Sequence, residues 1–214
     1  MTATYDIQTS SSLLQDLVLE SGKIVIQGLN FSQFEQLAYT HSELRMEQEV
    51  NGNITIMAPI AGFGGQRENK LSIRLGNWAL NNKSGETFSP TTGFKMPNGA
   101  TKSPDAAWLS DESYKKLRAT YSGKGFLPVV PDFIIEIRSE SDNLSELKKK
   151  MTGTWIANGV KLAWMIDPYR EKSYIYRADG TIETVEGFDK KLSGEKLLSG
   201  FELDLSELKL IDGK

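Results

Sequence analysis

Two Pro-Asp pairs set the chemistry this chain can do. One lies in "KSPDAAWLS", where Asp105 opens an apolar run; the other lies in "VVPDFIIEIRSESDN", where Asp132 precedes an apolar run that carries a second acid, Glu136. Carboxylates brought together from strands are what a hard divalent cation such as Mg²⁺ requires, because it takes oxygen ligands at about 2.1 Å. Asp132 and Glu136 cannot form that pair: on an extended strand, residues four apart point the same way but lie about 13 Å from each other. The partner of Glu136 has to come from a neighbouring strand about 4.8 Å away. Asp105, about thirty residues earlier with room for a short helix and a return, is the best candidate.

The surrounding pattern supplies elements able to hold such a pair. "FIIEIR" is almost wholly apolar, as expected of a central strand covered on both faces, and "KLAWMID" is a second buried strand. Between them residues 142 to 158 are expected as a helix ending at Asn158-Gly159, with Leu144, Leu147, Met151 and Trp155 as its buried stripe. Upstream, "KIVIQG" reads as a strand, "SQFEQLAY" as a helix capped by Ser32, and "LRMEQEVNGNITIM" as a hairpin with a type I′ turn at Asn51-Gly52. "GQRENKLSIRLGNWALNN" predicts a helix whose buried stripe is Leu71, Leu75 and Trp78, and "DESYKKLRA" a shorter one. The preceding "AGFGG" is expected as a flexible turn, without the lysine and hydroxyl residue of a phosphate-binding loop. "SYIYRADGTIETV" completes the set as antiparallel strands around Asp179-Gly180. Strand, helix, strand inside a hairpin-rich chain predicts an α/β (α+β) domain, a mixed sheet flanked by helices with further hairpins at both ends. Residues 1–21 are expected as a loosely attached leader and 22–214 as a single domain.

Composition narrows the chemistry. With no cysteine and one histidine, His41, disulfides, thiolate sites and a histidine-rich zinc site are excluded, and a serine triad lacks both its elbow motif and a second candidate base. No apolar run is long enough to cross a bilayer and the first residues lack a signal-peptide pattern, so a cytoplasmic location is expected. The net charge of −3 does not advertise a nucleic-acid partner, yet basic residues are segregated at Lys115, Lys116, Arg118 and Lys124 and again at Lys148, Lys149 and Lys150. Ordinary solvated faces are the alternative for both clusters.

Taken in order, "SPDAAW", "PDFIIEIRSESD", "KKKMTGTWIANGV" and "LAWMIDP" resemble the Uma family of putative restriction endonucleases, a branch of the PD-(D/E)XK nuclease superfamily. The likeness runs from about "LRMEQEVNGNITIMAP" to "SYIYR". It implies a restriction-endonuclease-like fold and a Mg²⁺-dependent, or Mn²⁺-dependent, endonuclease acting on DNA, with a homodimer placing two sites on opposite strands. It also implies Asp105 and Glu136 as metal-holding acids and a lysine beside them. The usual lysine position, two residues after the second acid, is Arg138. Arginine stays protonated, so it can stabilise phosphate charge but cannot take a proton from water. The resemblance places the lysine at Lys150 instead. Helical spacing puts Lys149 opposite the stripe but leaves Lys148 and Lys150 equivalent, and a surface pair of Lys150 with Glu146 is the alternative.

Further acids are implied at Glu68, on the apolar face near a helix start, where a favourable helix-dipole contact would explain it equally well. Glu47 matches a family acid too; it shares a strand face with Arg45 and Glu49, which a solvated face would also explain. Ser139, Ser141 and Asp142 are expected to cap the next helix, and a family-like Ser139 or Asp142 would orient ligands. The rival to an active nuclease is a catalytically silent module of the same fold that binds nucleic acid or protein, which Arg138 and the acidic balance favour.

Overall fold

Apolar residues at helical spacing define the long helix that organises most of the chain. Leu71, Leu75, Trp78 and Ala79 are buried along one face of it, and they pack into a cluster with Ala106, Trp108, Phe133, Ile135, Leu162 and Trp164. The structure is a computed structural model and describes residues 11–42, 44–60 and 62–210. The chain divides into two compact units, Met1–Ile60 with Gly99–Thr101, and Ala61–Asn98 with Lys102–Lys214.

The first unit contains α1 (Ser11–Ser21), β1 (Lys23–Ile26), α2 (Phe31–Thr40), β2 (Arg45–Gln48) and β3 (Ile54–Met57). β3 pairs antiparallel with both β1 and β2, and Gln48 pairs with Thr101. Of the expected leader, residues 1–10 lie outside the described residues, while Ser11–Ser21 is helical with Val18 buried. α2 is capped by Asn30 rather than Ser32: Asn30 Oδ1 accepts from Gln33 N–H while the Gln33 side chain accepts from Asn30 N–H. The reciprocal bond satisfies two helix-end groups, which a lone hydroxyl one residue inside the helix cannot do. The β2–β3 turn is not type I′. Glu49 N–H reaches Asn53 O, Gly52 N–H reaches Glu49 O, and within the turn only Gly52 has positive φ (+83°). That is the three-residue hairpin loop with a left-handed glycine.

The second unit contains α3 (Gly62–Asn82), β4 (Glu86–Phe88), β5 (Phe94–Lys95), β7 (Ala106–Leu109) and β8 (Phe133–Ile137), with α4 (Asp111–Thr120) between the last two. β6 (Thr101–Lys102) lies at the boundary of the units. Beyond β8 come α5 (Leu144–Lys150), β9 (Leu162–Asp167), β10 (Lys172–Arg177), β11 (Ile182–Glu186), β12 (Lys191–Ser193) and β13 (Glu202–Asp204). One six-stranded sheet runs β11-β10-β9-β8-β7-β4, with β12 and β13 as a separate C-terminal hairpin. β8 and β9 are parallel and every other neighbour in the sheet is antiparallel. The parallel pair needs a crossover, which α5 supplies.

Two expectations are corrected by this path. The glycine-rich "GFGG" is helical, the opening of α3, rather than a turn. The segment expected as one helix over 142–158 begins at Leu144 and stays α-helical only to Lys150. A π-helical stretch over Met151–Trp155 follows, then a 3₁₀ turn over Ile156–Asn158, closed by Gly159 at φ +106°.

β4 and β7 approach each other closely where the chain leaves α3. Gly85 has φ +63°, and a Cβ built there would lie 2.0 Å from Leu109 O and 2.7 Å from Trp108 Nε1. Gly180 also has positive φ, +84°, but open space around it. Gly85→Ala should therefore cost well above the roughly 1–3 kcal/mol of left-handed strain alone, whereas Gly180→Ala should cost only that strain, measured as the difference in unfolding free energy from urea titration.

Candidate active site

Alternation along β7 and β8 sorts their side chains onto two faces. Ala106, Trp108, Phe133 and Ile135 enter the cluster beneath α3, so the residues between them, and Glu136 with them, face the other way. The last β7–β8 pair toward this end is Ala106 with Ile135, which makes Asp105 and Glu136 the next positions across the two strands. Cα atoms of such opposed positions lie about 4.5–5.5 Å apart. Both acids are buried, at 6% and 5% exposure. The Ile137 N–H donates to Asp105 Oδ2 at 2.7 Å, tying this carboxylate to the end of β8.

Glu136 is held from the helical side of the crossover. Lys150, the last residue of α5, places Nζ 2.9 Å from Glu136 Oε1, and the indole N–H of the fully buried Trp155 donates to the same oxygen at 2.8 Å. The expected stripe is present in Leu147, Met151 and Trp155, with Leu144 half-buried and Lys149 exposed. Lys148 and Lys150 do flank it, and tertiary contacts separate them: Lys148 Nζ sits 3.9 Å above the Tyr174 ring of β10, while Lys150 goes to the acid.

A family model described as "Uma2: Putative restriction endonuclease" matches residues 31–206. The chain belongs to this family. None of the curated proteins matches. Among solved structures, the chain is similar to the crystal structure of a putative nuclease belonging to DUF820 from Anabaena variabilis, with 16% identity and a TM-score of 0.62. The match covers 76% of this chain and 88% of that one. The fold is restriction-endonuclease-like, a mixed sheet flanked by helices.

Within this Uma2 fold, Arg138 is not directed at the acids in the way a strand lysine would be. Its Nη1 lies 3.2 Å from Asp167 Oδ1, its Nε donates to Asp142 O at 3.2 Å, and its guanidinium lies 5.4 Å from the Tyr169 ring centroid. Asp167 is fully buried at the end of β9, and its Oδ1 also accepts the N–H groups of Tyr169 and Arg170. The pair joins the ends of β8 and β9. Ser139 and Asp142 shape the turn just beyond: Ser139 N–H donates to Asp142 Oδ2 at 2.8 Å, and the Ser139 and Ser141 hydroxyls lie 3.3 Å apart. None of these three caps α5. Asn143 does, accepting from Ser145 and Glu146 N–H, because the cap has to sit immediately before the first helical residue.

Glu68 is buried on α3, one turn before Leu71, on the helix that covers the Ala106 and Trp108 face. A cleft of about 220 Å³ on that same side is lined by Ser72, Leu75, Thr87, Phe88, Ser89 and Ala106, and so is not the space over Glu136. Among the described residues no three histidine, aspartate or glutamate side chains gather closely enough to hold an ion between them. Glu47 belongs to the first unit, on β2 opposite Thr55, and at 6% exposure it is not on a solvated face. Lys102, three residues before Asp105 and 2% exposed, received no role from the sequence; a lysine amid small polar residues gives no signal of burial until the fold encloses it.

The other Pro-Asp acid is a structural clamp. Asp132 Oδ1 meets Lys161 Nζ at 2.7 Å and its Oδ2 accepts Ser110 N–H at 2.7 Å, joining the start of β8 to the start of α4 and the approach to β9. Burial pushes this carboxyl up, but the Lys161 ammonium and the Ser110 and Ser113 donors outweigh it and hold it below its ordinary value. A depressed carboxyl contributes stability that is complete above its unfolded value of about 3.9 and is lost as pH falls through the lower folded value. Asp132→Asn should thus lower stability by about 2 kcal/mol at pH 7. The melting temperatures of the variant and the parent should approach each other as pH falls from the unfolded value of about 3.9 through the lower folded one.

Proposed function

We propose that this Uma2 protein hydrolyses phosphodiester bonds in DNA with a divalent cation, Mg²⁺ or Mn²⁺, held by Asp105 and Glu136. The observation that carries the reading is the meeting of two buried carboxylates at opposed strand positions with a lysine 2.9 Å from one of them. Two buried acids on adjacent strands fit a hard cation that keeps much of its shell as water and phosphate oxygen and needs only one or two protein carboxylates. When bound, such an ion supplies charge neutralisation at the scissile phosphate and makes water acidic enough to attack at neutral pH.

The chain's own residues do the rest. Asp105, tied to the β8 backbone, and Glu136, fixed by two donors, present oxygen at a set spacing without rearrangement. Lys150 holds its protons beside Glu136, where it orients the attacking water and stabilises charge on the phosphate. Arg138 braces the strand ends that carry the site. A homodimer would set two such sites on the two strands of a duplex. Among the described residues no helix is long and apolar enough to cross a membrane.

Purified protein incubated with supercoiled plasmid and Mg²⁺ should nick and linearise it, with activity lost on chelation. Asp105→Asn and Glu136→Gln should fall to background and Lys150→Ala by roughly 10²–10⁴-fold, while Arg138→Ala should act first on the melting temperature. Mn²⁺ should also raise the parent's melting temperature and leave that of Asp105→Asn unchanged. No cleavage together with no metal-induced shift would leave the silent binding module as the answer.

A further inference from the structure

Lys150 and Trp155 are five residues apart, yet both reach the same oxygen of Glu136, at 2.9 and 2.8 Å. A regular α-helix does not allow this. Five residues advance about 500° around its axis, leaving the two side chains about 140° apart. The helix is not regular here: over Met151–Trp155 it widens to π geometry, and the Ile156 N–H reaches back five residues to Met151 O. With hydrogen bonds of that span, five residues come close to one full turn, so Lys150 and Trp155 stack onto a single side.

The other tryptophans have a different employment. Trp78, Trp108 and Trp164 belong to the apolar cluster beneath α3, with Trp78 edge-on to Trp108 and Trp164 stacked on Phe201. Trp155 stands outside that cluster, fully buried on the opposite side, with a donor-only N–H aimed at a buried carboxylate. A π turn costs backbone regularity, and a core position asking only for bulk would not need it.

We propose that Trp155 is a positioning residue for the cation-holding acid: its indole N–H, delivered by the π turn, pins Glu136 Oε1 alongside Lys150 and so sets the direction in which the carboxylate faces the ion. This rests on the reading of Glu136 given above. Donors behind a metal-holding carboxylate fix its orientation, and losing one lowers metal affinity by about ten- to a hundredfold.

The test replaces Trp155 with 3-(3-benzothienyl)alanine, which keeps the bicyclic shape and lacks only the N–H, alongside Trp155→Phe and Glu136→Gln. Mn²⁺ binding to the full chain is measured by calorimetry, and metal-free melting temperature is recorded for each. The expected result is a Kd for Mn²⁺ raised about ten- to a hundredfold in the benzothienyl variant with its metal-free melting temperature close to that of the parent, and no binding in Glu136→Gln. In the parent, the ¹H–¹⁵N resonance of the Trp155 indole should shift on addition of Mg²⁺ and on Glu136→Gln. Parental Mn²⁺ affinity in the benzothienyl variant, with binding lost in Glu136→Gln, would overturn the role of Trp155 and leave the site intact. Parental affinity in Glu136→Gln would overturn both. If the Trp155 variants prove unstable, an indole resonance indifferent to Mg²⁺ in the parent is sufficient to overturn the inference.

Discussion

Two carboxylates that would each be costly to bury alone are buried at opposed positions of one strand pair, and much of the second unit is arranged around making that tolerable. Desolvating a carboxylate without compensation is heavily penalised. The Ile137 N–H answers Asp105; Lys150 and the Trp155 indole answer Glu136. Each donor arrives from an element whose placement is fixed by apolar packing elsewhere, so the core and the site are coupled. The cluster beneath α3 holds β7 and β8 in register, and register alone makes residue 105 face residue 136.

The same logic applies to two other buried acids, Asp132 and Asp167. They are as buried as Asp105 and Glu136; Asp132 meets Lys161 and the Ser110 N–H through its two oxygens, and Asp167 Oδ1 meets Arg138 and two main-chain N–H groups. They staple opposite ends of β8 to its neighbours. The glutamate between them therefore sits on a strand braced at both ends, which suits a group whose direction matters. Arg138 is spent on this bracing, and a longer-range cation, Lys150 from the crossover helix, stands by the acid in its place.

Much of this could be read from the residues before any coordinates. The apolar runs around Glu136 and along "LAWMID" are two-sided core strands by composition, the Leu71, Leu75 and Trp78 stripe is a helix by spacing, and four residues of strand are too long for Asp132 and Glu136 to share an ion. The hairpin at Asn51-Gly52 was legible as a hairpin but not in its loop type, because Asn-Gly suits two geometries and the flanking register chooses between them. The burial of Glu47 and Lys102 and the clamp at Asp132 were not legible, since each depends on segments far away in the chain, whereas the cap at Asn143 was missed although its partners, Ser145 and Glu146, are local.

What the sequence determined by itself is the inventory and the local periodicity: which strands are central, which acids lie on them, and that no cysteine or histidine chemistry competes. Helical spacing left open which lysine meets Glu136, the family resemblance named Lys150, and the tertiary contact is made by Lys150. At 100° per residue Lys148 and Lys150 are equivalent flanks of one stripe, and only the neighbours they meet, the Tyr174 ring for one and the carboxylate for the other, tell them apart. The π turn was likewise invisible, because a widened turn leaves no mark in a periodic pattern until its backbone hydrogen bonds are seen to span five residues instead of four.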